Sequence, residues 1–159
     1  NTTANDNSFF GYFAGLTTNI GTLNAFFGRS AGQFNTTGSQ NVFLGGYAGQ
    51  ANTQGSGNTA LGAAAGNSII TGSNNTLIGK GTDVSTGALT YATAIGSDAV
   101  VTASNTIVLG RSGGEDTVVT PGRVIVGMLG AAGATALCRN ASNQISTCSS
   151  SRRSCWWTG

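Results

Sequence analysis

The sequence predicts an all-β fold, a parallel β-solenoid (β-roll) built from 17-residue coils. One pattern behind this prediction is a phrase in which asparagine is followed four residues later by glycine, repeated at a constant 17-residue step. The other is a set of short strand-like runs between turn residues, with no sustained helical spacing. Repetition of this length is typical of a solenoid. The phrase residues are Asn7, Asn24, Asn41, Asn58, Asn75 and Gly11, Gly28, Gly45, Gly62, Gly79, Gly96.

Each unit is interpreted as one coil of two short strands separated by turns. The run from Asn41 to Gly45 has the length of a strand, and the Gly- and Asn-rich segments between such runs tolerate positive φ. Stacked coils place equal positions about 4.8 Å apart. We therefore expect the phrase asparagines to form a structural ladder, pairing their side-chain amides along the rod.

Two apolar residues precede each phrase glycine, and their placement bears on assembly. Neighbours in a strand point to opposite faces, so one coil cannot bury both members of a pair. The outer members would form an apolar stripe of a kind that monomers rarely expose. We expect an oligomer about the rod axis, with one member inside the coil and the other in a subunit interface. These core or interface candidates are Phe9, Phe10, Phe26, Phe27, Phe43, Leu44, Leu61, Leu77, Ile78 and Ile95.

The chain changes character after the repeats. Residues 1–112 are assigned to the solenoid, although a shorter, 14-residue step separates Gly96 from Gly110. Residues 113–130 are interpreted as a short β neck, with a strand at 123–127 after a Pro-Gly turn. Residues 131–159 are a C-terminal tail. There, Cys138 and Cys148 are candidates for a disulfide in an oxidising compartment, and free thiols are the equal alternative.

Composition excludes several classes of function. The chain has no histidine and only five acidic residues, and none of its four aspartates recurs on the 17-residue step, so we expect no enzyme, no metal ladder and no cofactor. Seven scattered Lys and Arg residues give a net charge of only +2, which argues against nucleic acid. No apolar run is long enough to insert into a membrane. Arg29 and Lys80 are expected to be exposed, while Tyr12 and Tyr47 suit packing at the rod surface or contact with a glycan.

Two resemblances can be stated from these motifs. Asn58–Gly62, and Ala94–Ala99 with its 14-residue step, resemble the head repeats of trimeric autotransporter adhesins. The repeats Asn-x-Phe-Phe-Gly-x-x-Ala-Gly, with segments 113–118 and 135–151, are similar to bacterial and phage tail-fibre-domain proteins. The first resemblance implies a left-handed β-roll assembled as a homotrimer. The second implies a junction to an endosialidase-type intramolecular chaperone, and we expect the chaperone itself to be missing from this chain.

The same resemblance nominates one residue for autoprocessing. In that family the chaperone begins at Ser-x-x-Arg-x-Lys and is cut at the serine, which corresponds to Ser150 in this chain. Position 155 is Cys155 instead of lysine, so the motif is incomplete. We expect these residues to be a remnant or junction and the chain to be non-catalytic.

The expected function is therefore mechanical. We expect a structural segment of an extracellular fibre or adhesin, at a cell surface or on a phage-like particle, with itself and a cell-surface glycan or protein receptor as partners. The alternative is an extracellular filament subunit that stacks end to end through exposed strand edges. Ice binding by Thr59, Thr76 and Thr93 is disfavoured because Ser8, Ala25 and Val42 occupy that position in the first coils.

Overall fold

The computed structural model describes residues 4–111, 113, 116–119, 137–139 and 145–147. The chain divides into two compact units, Asn1–Val118 and Val119–Gly159. The described residues contain strands and turns but no helix, so none of them forms a helix able to cross a membrane.

The first unit is a parallel β-solenoid, as predicted. One sheet runs β1-β2-β3-β4-β5-β7-β9 with every pair parallel, and β6 pairs with β8 in a second, two-stranded sheet. Paired residues lie 17 positions apart from β1 to β7, as in Phe9 with Phe26, and 14 apart from β7 to β9. The strands are Ser8–Phe10 (β1), Ala25–Phe27 (β2), Val42–Leu44 (β3), Thr59–Leu61 (β4), Thr76–Ile78 (β5), Asp83–Val84 (β6), Thr93–Ile95 (β7), Val100–Val101 (β8) and Ile107–Leu109 (β9).

We number the coils from each phrase asparagine or its equivalent. Coils 1 to 5 are residues 7–23, 24–40, 41–57, 58–74 and 75–91; coil 6 is 92–105, and coil 7 begins at residue 106. Each coil therefore contributes one strand to the large sheet. The strand ends at the phrase glycine, where the backbone takes a φ that L-residues rarely adopt, +136° at Gly45. A β-carbon there would also collide with the carbonyl of Gly62 in the next coil.

The prediction of two strands in every coil is wrong for coils 1 to 4. Among the described residues a second strand occurs only in coil 5 (β6) and coil 6 (β8), and the corresponding segments of the earlier coils are turns. In coils 1 to 3 the backbone there turns tightly over the interior phenylalanine: a β-carbon on Gly49 would lie 2.5 Å from the Phe43 ring. In coil 4 the glycine remains, and a β-carbon on Gly66 would lie 3.0 Å from Ile69. Asp83 replaces this glycine in coil 5, and the chain becomes extended.

The shorter coil 6 loses its residues at one corner. The Ser85 N–H donates to the Val101 carbonyl, and the Thr90 N–H donates to the Ser104 hydroxyl. The four residues between Ser85 and Thr90 in coil 5 therefore correspond to Ala103 alone in coil 6. The large sheet is unaffected, because Ile95 still pairs with Leu109. The change of period therefore narrows the coil without ending the solenoid.

The second unit contains an antiparallel pair. Leu137–Arg139 (β10) pairs with Ile145–Thr147 (β11), which places the backbone of Cys138 opposite Ser146. The predicted neck strand at 123–127, the possible disulfide partner Cys148 and the processing candidate Ser150 lie outside the described residues.

Candidate interaction surface

The central residue of each strand points into the coil. Phe26, Phe43, Ala60, Leu77 and Ala94 are fully buried. The rings of Phe9, Phe26 and Phe43 stack face to face, with centroids 4.8 and 5.0 Å apart and planes within 9°. This spacing matches the separation of neighbouring strands.

The third residue of each strand points outward and forms an apolar row along the sheet. Phe10 is 74% exposed, Leu44 52% and Ile78 37%, whereas Leu61 is half-buried. Phe10 and Phe27 contact each other, with ring centroids 6.4 Å apart. The apolar character is unbroken across all seven strands. We call this the outward row: Phe10, Phe27, Leu44, Leu61, Ile78, Ile95 and Leu109.

A second row lies beside it on the same face of the sheet. Its members are small or apolar in the first three strands, threonine in the next three strands and isoleucine in the last. The threonines are half-buried, and Ile107 is 70% exposed. This face is therefore apolar on one side and mixed on the other. The row is Ser8, Ala25, Val42, Thr59, Thr76, Thr93 and Ile107.

The phrase asparagines are inside and hold successive coils together. The Asn24 side-chain oxygen accepts the backbone N–H of Asn41 at 2.9 Å, and its amide donates to the Gly38 carbonyl at 2.9 Å. The same pair of bonds recurs from Asn7 to Asn75. Amide-to-amide pairing, which the sequence predicted throughout, occurs in this ladder only between Asn75 and Asn58. Side-chain-to-backbone bonds replace it because the neighbouring N–H groups need acceptors.

Sequence reasoning missed three further ladders on the same step. Asn52 donates to Asn35, and Gln50 donates to Gln33, in each case between side-chain amides 2.8 Å apart. A serine ladder accepts backbone N–H groups, as Ser56 does from Ser39. Their 17-residue spacing was visible in the sequence, but each of these residue types recurs in only two or three coils, against five for the phrase asparagines.

One corner of the solenoid carries aromatic and basic side chains. The Arg29 guanidinium lies 5.5 Å from the centre of the Tyr47 ring, a cation–π distance. Tyr12 and Phe13 contact each other one coil earlier. Arg29 and Lys80 are exposed, as predicted.

At its C-terminal end the solenoid meets a charged pair. Arg111 and Asp116 form a salt bridge of 3.1 Å, and the Asp116 carboxylate also accepts the Arg111 backbone N–H. These bonds hold the pKa of Asp116 below its ordinary value. Beside the pair is an open groove of about 470 Å³, whose apolar lining includes Ile95, Leu109 and Val118. The groove therefore continues the outward row beyond the last strand.

The described residues contain no group of three or more His, Cys, Asp or Glu side chains placed to hold a metal ion. No protein-family model, curated protein or solved structure matches this chain. The geometry alone therefore has to support a functional proposal.

Proposed function

We propose that this chain is a structural, non-enzymatic segment of an extracellular fibre or adhesin, and that it works as a homotrimer packed through the outward row. The observation that carries the proposal is the unbroken apolar character of this row over seven strands. The other exposed columns do not keep it: the position of Tyr12 becomes Arg29, Gly46 and Lys80 in later coils. A stripe of this length on one face is typical of a surface that meets another chain.

The solenoid supplies the stiffness that such a segment needs. Every neighbouring pair of strands in the large sheet is bonded in register, and the buried asparagines add side-chain bonds between coils. The seven strands extend over about 29 Å at the usual strand spacing. Three such rods side by side would present three copies of any receptor-binding surface, so weak contacts with a glycan or protein would multiply.

Covering the outward row is energetically worthwhile. Fully burying a large apolar side chain contributes about 1.5–3 kcal/mol. Because these side chains are already partly covered within one chain, we assign them about 1 kcal/mol each on association. Seven in a row, on each chain, then supply a useful part of the free energy of assembly, although ordering and lost rotational freedom oppose it.

Two features favour discrete rods over the alternative, a filament of coils stacked end to end. Coil 6 is three residues shorter than the coils before it, so its cross-section does not match coil 1. In addition, Asp116 covers Gly110, where the next coil would have to stack. Electron microscopy of the purified chain distinguishes the two: short rods of uniform length support the fibre segment, and long filaments support stacking.

Mass in solution tests the trimer. We expect the unmodified chain to have three times the mass of one chain, and the double variant Leu44→Glu with Ile78→Glu to lose this assembly while keeping its β circular dichroism. The matched control places the same charges on an exposed polar column, through Thr37→Glu with Thr71→Glu, and should remain trimeric. A monomeric unmodified chain would overturn the proposed assembly.

A further inference from the structure

The core of the solenoid changes composition at coil 4. In coils 2 and 3 the strand centre is phenylalanine, and a buried asparagine, Asn35 or Asn52, lies eleven positions after the phrase asparagine. In coil 4 the same positions are Ala60 and Ile69. The strand centre therefore becomes smaller, from phenylalanine to alanine, and the second position becomes apolar, from asparagine to isoleucine. The buried apolar residues form two clusters that meet inside coil 4, where Ala60 and Ala65 belong to the first and Ile69 to the second. The first holds Phe26, Ala31, Phe43, Ala48, Ala60 and Ala65, and the second Ile69, Leu77, Val84, Ala92, Ala94, Ala99 and Val101.

A polar ladder ends at this change. The Asn35 side-chain oxygen accepts a hydrogen bond from the Asn52 amide at 2.8 Å. The Asn52 oxygen is itself buried and has no partner. The residue at the matching position of the next coil is Ile69, which has no side-chain donor. A buried carbonyl without a partner has lost its water and gained nothing in exchange.

The aromatic stack ends at the same place. Phe26 and Phe43 face each other at 5.0 Å, but Phe43 pairs with Ala60 in the following strand. The attraction between rings that supports the earlier coils is therefore absent between coils 3 and 4. Backbone pairing continues, since Val42 donates to the Asn58 carbonyl at 2.8 Å. The junction between coils 3 and 4 therefore keeps its backbone hydrogen bonds, but it has fewer favourable side-chain contacts than the junction between coils 2 and 3.

We infer that the solenoid contains two folding units that separate at the junction between coils 3 and 4, one ending at residue 57 and the other beginning at residue 58. The stability of a solenoid is close to a sum over coils and the interfaces between neighbours, so partial opening concentrates where an interface is weakest. This junction combines the unpaired Asn52 oxygen with the end of the ring stack. The inference does not depend on the proposed function.

Native-state hydrogen exchange of the full chain, followed by mass spectrometry in subdenaturing urea, tests the inference. We expect the amides of coils 1 to 3 to open together and those of coils 4 to 7 to open together, with protection differing by at least about tenfold across residue 58. A single opening shared by all coils would overturn the inference. So would protection that changes smoothly from coil to coil.

A double variant tests the cause. Ala60→Phe with Ile69→Asn gives coil 4 the core of coil 3, with a ring for Phe43 and a donor for the Asn52 oxygen. The step in protection should then move by one coil, from residue 58 to residue 75. The matched control makes the same substitutions at exposed neighbours, Ala63→Phe with Ile70→Asn, and should leave the step at residue 58. A step that stays at residue 58 in the core variant would contradict the inference. Should that variant fail to fold, the unmodified chain alone decides.

Discussion

Coils 1 to 3 and coils 5 to 6 share one sheet but fill their interiors differently. The earlier coils stack phenylalanine rings beside buried amides, and a glycine lets the backbone turn closely over each ring, as Gly49 does over Phe43. The later coils use aliphatic side chains such as Leu77 and Val101, and a second pair of strands replaces the turn. Strand pairing therefore does not determine core composition.

This difference shows what the constant features of the repeat do. The phrase glycine and the outward row continue through both regions, because they serve the backbone turn and the outer face. The interior asparagine is replaced by Ala92 in coil 6, where the polar ladder gives way to apolar packing. Features of the sheet and features of the core are thus separable, and substitutions can test each of them.

The largest expected effect is in the aromatic core. Phe43→Ala should lower the free energy of unfolding by about 3–5 kcal/mol, because it removes a fully buried ring from the middle of the stack. Leu77→Ala, in the aliphatic region, should cost less, within about 2–5 kcal/mol. Urea unfolding measures both.

An exposed phenylalanine provides the control for this comparison. Phe34 is 45% exposed, so Phe34→Ala should change the free energy of unfolding by no more than about 0.5 kcal/mol. If Leu77→Ala were costlier than Phe43→Ala, the view that rings dominate the first region would be wrong.

The next effect concerns the buried asparagines. Asn41→Ala leaves the Asn58 N–H without its acceptor and removes one of the bonds to the Gly55 carbonyl. We expect a loss of about 2–4 kcal/mol in urea unfolding, since a buried unpaired group costs about 1–3 kcal/mol. Asn67→Ala is the matched control at an exposed turn and should be nearly neutral. Equal losses of unfolding free energy in the two variants would show that the hydrogen bonds of the ladder add nothing beyond the general cost of replacing asparagine by alanine.

Much of this fold could be predicted from the sequence, for a physical reason. The constant 17-residue step fixes which side chains stack, and strand geometry fixes that Phe26 and Phe27 face opposite ways. The second strand could not be predicted, since it depends on how closely the backbone approaches the interior side chains. The unpaired Asn52 oxygen was missed because only the structure shows that this column faces the interior, although Ile69 follows Asn52 by 17 residues in the sequence. The partner of the outward row lies in another molecule, so sequence reasoning could only propose it.

A smaller effect should distinguish the two regions at one exposed corner. Arg29 of coil 2 lies over the Tyr47 ring of coil 3, whereas Lys80 of coil 5 has Asp98 at the equivalent position of coil 6, with no ring. Arg29→Gln should therefore cost about 0.5–1 kcal/mol in urea unfolding. Lys80→Gln, the matched change, should cost almost nothing. Similar costs at both positions would mean that loss of charge, and not the ring contact, is responsible.

The smallest effect should appear with pH at the C-terminal end of the solenoid. Arg111 lowers the pKa of Asp116 through its side-chain hydrogen bond and its backbone N–H, so the carboxylate stabilises the folded state above its unfolded pKa, ordinarily 3.8. This contribution is lost as pH falls through the lower folded pKa. In the unmodified chain, hydrogen-exchange protection of residues 109–111 should decrease at low pH. In the Asp116→Asn variant the same protection should not change over this pH range. Coils 2 and 3 contain no carboxylate and should keep their protection over the same pH range. An equal decrease in those coils would show that acid loosens the whole solenoid and that the Arg111–Asp116 pair has no local role.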